Sequence, residues 1–176
     1  MAMAFDATRT LRGALAGATA AAVWAAQQPL DKRVFGIDYD DAELLGRLAR
    51  VSGPATQPVG LALHLLNGAV VGAIYANVAP SLPGPRAARG LAAALVEHLA
   101  TWPGTAVTDR LGLTNGLWGD PRAFAQATWR HALFGAVLGE LEGRLNPGGS
   151  EPEPVDAVVV ASNGHGSPEH LVATGP

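Results

Sequence analysis

The chain has 176 residues, a net charge of −3, a pI near 5.9 and no cysteine. An acidic balance without a basic cluster excludes the phosphate contacts of a nucleic-acid binder, and the missing cysteine excludes disulfides, thiolate metal sites and a thiol nucleophile. Only 15% of residues are charged, against roughly 25% in an ordinary soluble domain, and they are bunched between long uncharged stretches, the pattern of spans and loops.

From Gly13 to Leu30 there is no charge, and a first membrane span is expected over about 11–30, ending at Gln28-Pro29-Leu30. Ala18 to Ala26 imitates the apolar part of a secretory signal. Trp24, Gln27, Gln28 and Pro29 then run straight into a charged cluster, so the segment reads as a span and not as a cleaved leader. Asp31 to Pro58 is too long for a hairpin turn. Within it Asp40 and Glu43 have capping-box spacing, and Leu44, Leu45, Leu48 and Val51 share one face opposite Glu43, Arg47 and Arg50. A short interfacial helix fits that pattern.

The second span is expected over 58–79, inside an uncharged run from Val51 to Pro85. Between Leu61 and Ala79 its polar residues are His64, Asn67, Tyr75 and Asn77, too few for a water-facing stripe. The alternative, an Ala-rich bundle in water, draws on a mean hydropathy of only +0.18. Pro80 to Pro85 is a helix-breaking connection, and Leu113 to Pro121 a second loop. Spans over 88–108 and 122–142 each hold one charge near the middle, Glu97 and Arg130. A central charge costs about 2.5–3.5 kcal/mol on an insertion scale, which several Leu and Val largely offset. After Asn146, Pro-Gly-Gly-Ser-Glu-Pro-Glu-Pro opens a segment, 147–176, whose composition cannot offset its ordering entropy, and a disordered tail is expected there. The fold expected is all-α: an integral membrane four-helix bundle over 1–146 with a short interfacial helix.

The second and fourth spans echo one another. His64-Leu-Leu-Asn-Gly68-Ala-Val-Val-Gly72 and His131-Ala-Leu-Phe-Gly135-Ala-Val-Leu-Gly139 share His-x3-Gly-Ala-Val-x-Gly. The first and third echo more weakly, through Trp24 before Asp31 and Trp102 before Asp109. Two helix pairs related by duplication would account for both. Gly13 with Gly17, Gly68 with Gly72, and Gly135 with Gly139 place small residues one turn apart, as close helix packing in lipid requires. At 100° per residue His64 and His131 lie on the same faces as those glycines.

This layout resembles the YagU-like inner-membrane proteins and related uncharacterised actinobacterial membrane proteins. The shared features are a Gly-x3-Gly first span ending at Gln28-Pro29-Leu30 and a second running from His64 through Gly72 and Tyr75 to Pro80. A third carries His98 before Pro103, and a fourth carries His131 before the charged Glu140 to Arg144. The resemblance covers roughly Leu11 to Asn146. It implies a bacterial inner-membrane protein of four helices and carries over no catalytic residue.

The candidate polar residues of the interior are His64, Asn67, Tyr75, Glu97, His98, Arg130 and His131. Glu97 and Arg130 are expected to face each other as a buried ion pair. The three histidines come from different helices, an arrangement open to helix-to-helix hydrogen bonding, a proton relay, a metal or a haem, without the tight ligand spacing that would select a metal. The serines lie in loops or tail, without a Gly-x-Ser-x-Gly elbow, and no phosphate loop or other catalytic signature is present. Three functions follow as expectations: an accessory or envelope module without enzymatic activity, whose acidic segment (Asp31, Asp38, Asp40, Asp41) meets a membrane partner or a second copy; a small proton or cation carrier using Glu97, His64, His98 and His131; and a haem- or metal-binding redox protein. No cofactor is specified by the residues. The two loop sides carry nearly equal numbers of Arg and Lys, and both termini are expected in the cytoplasm of a multi-pass inner-membrane protein.

Overall fold

The structure is a computed structural model and describes residues 6–147. The tail expected at 147–176 lies, but for Pro147, outside the described residues. Those residues are all helical in their regular structure, with no strand among them.

Helix α1 (Ala7–Phe35) starts where the Asp6 carboxylate accepts from the Thr8 and Arg9 amides, and stops where Gly36 takes a left-handed conformation (φ 69°) and donates to Lys32 O. It buries Gly13, Ala16, Gly17, Ala20, Ala21, Trp24, Gln28 and Asp31, a stripe at helical spacing. The first span was expected to stop near Leu30, but the helix continues through Pro29. An interior proline costs about 3 kcal/mol, and the packing of Gln28 and Asp31 on either side of it holds the helix on its course.

Helix α2 (Asp41–Leu48) has Asp40 as its cap, accepting from Glu43 N at 3.0 Å as the spacing predicts. Burial works against the Asp40 charge, but the Glu43 amide and the Lys32 ammonium outweigh it and hold Asp40 below the usual carboxylate range. The expected interfacial helix is folded back onto its neighbour: Ala42 and Gly46 press on Gly60 of α3 (Thr56–Val78) so closely that a Cβ on Gly60 would meet the Ala42 carbonyl. A short 3-10 turn at Ala79–Ser81 follows.

The third span is two helices. Pro103 offers no N–H to continue the ladder, so α4 (Arg86–Thr101) ends at Trp102 and α5 (Gly104–Arg110) begins anew, with no buried residue of its own. At about 1.5 Å per residue α4 is roughly 24 Å long, short of a full bilayer core. Helix α6 (Pro121–Leu145) is capped by Asp120, with Pro121 in the first turn.

The chain is thus long–short–long twice over. Helices α1 and α3 pack antiparallel, Gly13 and Gly17 against Gly68 and Gly72; α4 and α6 do the same through Gly90 and Ala94 against Gly135 and Gly139. Gly68 faces Gly17 and Ala21 as Gly135 faces Gly90 and Ala94, so the halves repeat with an offset of 73 residues in the first helix and 67 in the last. The duplication read from the histidine–glycine motif agrees with this packing. The Trp–Asp echo does not: the offset takes Trp24 to Glu97, and Asp109 serves a loop whereas Asp31 is buried. The halves meet chiefly along α1 and α6.

The exterior is apolar. Leu11, Leu15, Leu30 and Val34 on α1, Leu66, Val70 and Ile74 on α3, Val96 and Leu99 on α4 and Trp129 on α6 all face outwards, while Gln28, Asp31, His64, Arg89, His98, Gln126, Arg130 and Glu142 are buried. Among the described residues one segment, Gly53–Ser81, is long and apolar enough by itself to cross a bilayer. Four such helices were expected and one is found: α4, at 16 residues, is too short, and polar and charged residues lower the hydropathy of α1 and α6.

Candidate functional site

Arg130 organises the end of the bundle where α2 and α5 lie. Its side chain is fully buried. Nε and Nη2 grip the two Asp31 oxygens at 2.6 Å each, Nη1 donates to Asp41 Oδ2 at 2.7 Å, and Nη2 also reaches the Tyr39 carbonyl at 3.1 Å. The guanidinium carbon stands 5.3 Å from the centre of the Tyr39 ring. Around this fork Gln126 Nε2 donates to Asp31 Oδ1 (2.8 Å) and to the Ile37 carbonyl (3.1 Å), Gln27 Nε2 donates to Asp31 Oδ2 (2.6 Å), and Trp24 Nε1 donates to Asp41 Oδ2 (2.9 Å). Planar bidentate pairing of this kind is the geometry in which arginine can be buried.

The expected Glu97–Arg130 pair is therefore not formed. Arg130 faces α1 and α2, where two carboxylates fit its fork. His131, the next residue round the helix, faces α4 and takes Glu97 instead, with Nε2 3.4 Å from Glu97 Oε2. Nor is the acidic segment turned outwards as a whole: Asp31 and Asp41 hold Arg130, and Asp40 caps α2 while pairing with Lys32 at 3.1 Å. Asp38 alone of the four is well exposed, at 94% of its side chain.

Above the fork, between the two halves, lies a cavity of about 250 Å³ flanked at its mouth by α2 and α5. All three candidate histidines line it, with Glu97, Asn67, Trp24, Trp102 and Phe134. Trp24 is the pivot, its ring 5.3 Å from His64 and 4.7 Å from His131, and His98 lies 4.6 Å from His131. Each ring has a hydrogen bond that assigns its tautomer. His64 Nε2 donates to the Ala21 carbonyl at 3.2 Å and His131 Nδ1 to the Ala127 carbonyl at 2.8 Å, since a carbonyl can only accept. The Thr128 hydroxyl donates to the Phe124 carbonyl, so its oxygen accepts from His98 Nε2 at 3.0 Å. His131 Nε2 and the Glu97 carboxylate would then both be acceptors. The two attract as an ion pair when His131 is protonated.

Among the described residues no three His, Asp or Glu side chains converge as a metal cage. Tyr75, also a candidate, is buried at the opposite end, where Arg9 pairs with Glu142 at 3.2 Å and Arg89 donates to the Ala79 carbonyl at 2.9 Å. Gly13, Gly17, Gly68, Gly72, Gly135 and Gly139 all stand in the helix contacts expected of them.

Sequence reasoning missed Asp31, Asp41, Gln126 and Trp24 as parts of the site. Pro29 hid Asp31 by suggesting that the helix had ended. The signals were there in the helical spacing of Trp24, Gln28 and Asp31 and in Gln126 one turn before Arg130.

Comparison with protein-family models, with curated proteins and with solved structures gives no match.

Proposed function

We propose that this chain is a membrane-embedded helical bundle that takes up and passes protons or small cations through its central cavity, without covalent chemistry. The observation that carries the reading is the His131–Glu97 contact, where an imidazole nitrogen stands 3.4 Å from a carboxylate oxygen in a cavity wall that also contains His98 and His64. The bilayer setting is supported by the outward Leu, Val and Ile side chains over a polar interior, the reverse of the distribution that water selects. The YagU-like layout agrees with a bacterial inner membrane, and we propose that location with it. An accessory module docking through its acidic segment is the weaker reading, because all four acids pair with basic side chains within the chain.

Protein reconstituted into vesicles with an internal pH dye should dissipate an imposed proton gradient faster than empty vesicles, and both Glu97→Gln and His131→Ala should return the rate to the empty level. A leak unchanged in both variants, or none in the native protein, removes the carrier reading.

A further inference from the structure

The charges around the cavity do not balance. Arg130 spends four of its five N–H donors on Asp31, Asp41 and the Tyr39 carbonyl. One positive charge thus meets two carboxylates, which leaves an excess negative charge beside a partly open cavity of about 250 Å³. Glu97 adds a second carboxylate to the wall, whose cationic partner, His131, is charged only when protonated. Uncompensated charge in a poorly hydrated interior is costly, and the usual remedies are a proton or a cation. The walls suit a particular kind of cation. Trp24, Trp102 and Phe134 present ring surface to the space, and aromatic faces attract cations whose charge is spread over methyl or methylene groups. At about 30 Å³ per water-sized group the cavity has room for roughly eight non-hydrogen atoms.

We infer that the cavity is a binding site for a small organic ammonium ion, which competes with the His131–Glu97 proton for the Glu97 carboxylate. The inference rests on the carrier reading and narrows it, since one site that holds either a proton or an ammonium ion can exchange one for the other. The charged and titratable groups that line the cavity with Glu97 and His131 are His98 on α4, His64 on α3, Asp41 on α2, Arg130 on α6 and Tyr39 before α2, with Asp31 of α1 behind Arg130. Of these, Arg130 keeps its charge across the neutral range, and His131 is the imidazole in direct contact with the Glu97 carboxylate.

The test is a tryptophan-fluorescence titration of the full chain in detergent micelles, with choline as the probe and its uncharged isostere 3,3-dimethyl-1-butanol as the control. Measurements are made at about pH 5.5 and about pH 8, on either side of the ordinary histidine range. Choline should bind and the isostere should not, with choline affinity about tenfold higher at the upper pH. Glu97→Gln should weaken choline binding about tenfold or more and flatten its pH dependence. Helix content by circular dichroism identifies a variant that fails to fold, and His131→Gln then takes its place: it should keep choline binding while losing the pH dependence. Equal binding of choline and the isostere, or an unchanged titration in the variants, overturns the inference. Proton flux in vesicles without choline binding removes the ammonium site and leaves the carrier; choline binding without flux removes the carrier and leaves the site.

Discussion

Arg130 shows how much one side chain can commit. With no exposure to solvent and three carboxylate hydrogen bonds of 2.6–2.7 Å, it neutralises groups that could not otherwise be buried. Replacing it by methionine leaves Asp31 and Asp41 without a cation, and we expect a loss of about 3–5 kcal/mol in detergent-unfolding experiments. Arg130→Lys should recover only part of this, since an ammonium cannot grip both Asp31 oxygens. A double variant, Arg130→Met with Asp31→Leu, should be more stable than Arg130→Met alone. No difference between the two would mean that Asp31 is not held by the arginine. Asp109 is committed in another way. Its carboxylate accepts from the Thr114 hydroxyl and from the amides of Gly116, Leu117 and Trp118 at 2.7–3.2 Å. Burial works against its charge, but these donors outweigh it and hold Asp109 below the usual carboxylate range. A depressed carboxylate contributes fully above its unfolded value, about 3.9, and its contribution fades as pH falls through the lower folded value. The 111–120 loop should therefore open in acid, seen as faster amide exchange at Gly116 and Trp118, and Asp109→Asn should show the same exchange at neutral pH.

At the scale of the element, packing within each half rests on backbones in contact. A Cβ on Gly17 would fall on the Gly68 carbonyl and within 2.8 Å of Gly72 Cα. Neither is the flexible end of a side chain, so Gly17→Ala should cost at least about 1–3 kcal/mol. Gly104, at the start of α5, has nothing within 4 Å of an added Cβ, and Gly104→Ala should leave the melting temperature unchanged or raise it slightly. Equal effects at both positions would show that the close approach is not maintained. These contacts were legible in the sequence because a Gly-x3-Gly stripe has few other uses in an apolar helix. The helix boundaries were less so. Pro29 and Pro103 carry the same local signal, yet the first lies inside a helix and the second divides one. Around Pro29 the inward residues Trp24 and Asp31 find partners on α2 and α6; around Pro103 α5 buries nothing.

For the molecule as a whole, the distribution of polarity decides where it can reside. Exposed Leu11 (71%), Val34 (69%) and Val96 (68%) over buried Asp, Arg and His support the proposed bilayer setting. We expect the protein to stay in the membrane pellet after alkaline carbonate washing and to be released by detergent, and recovery in the carbonate supernatant would overturn the bilayer setting. Composition suggested the setting proposed here, and the repeat suggested the packing of the helices in two pairs. The partner of Arg130 could not be read from sequence, because the choice between Glu97 and Asp31 depends on which side of α6 faces which half, a matter of rotation that span positions alone leave open.

The repeat has a consequence for how the two halves find each other. The offset that takes Gly17 to Gly90 takes Asp31 to Gly104, and the one that takes Gly68 to Gly135 takes Leu63 to Arg130. The first half carries the acid without the base and the second the base without the acid. Two copies of the first would bring together unpaired carboxylates, and two copies of the second unpaired guanidinium groups, whatever the fit of their glycine seams. Like a lock cut differently from its key, the divergence makes self-association of either half unfavourable and the mixed pairing the one that brings the acids to a guanidinium.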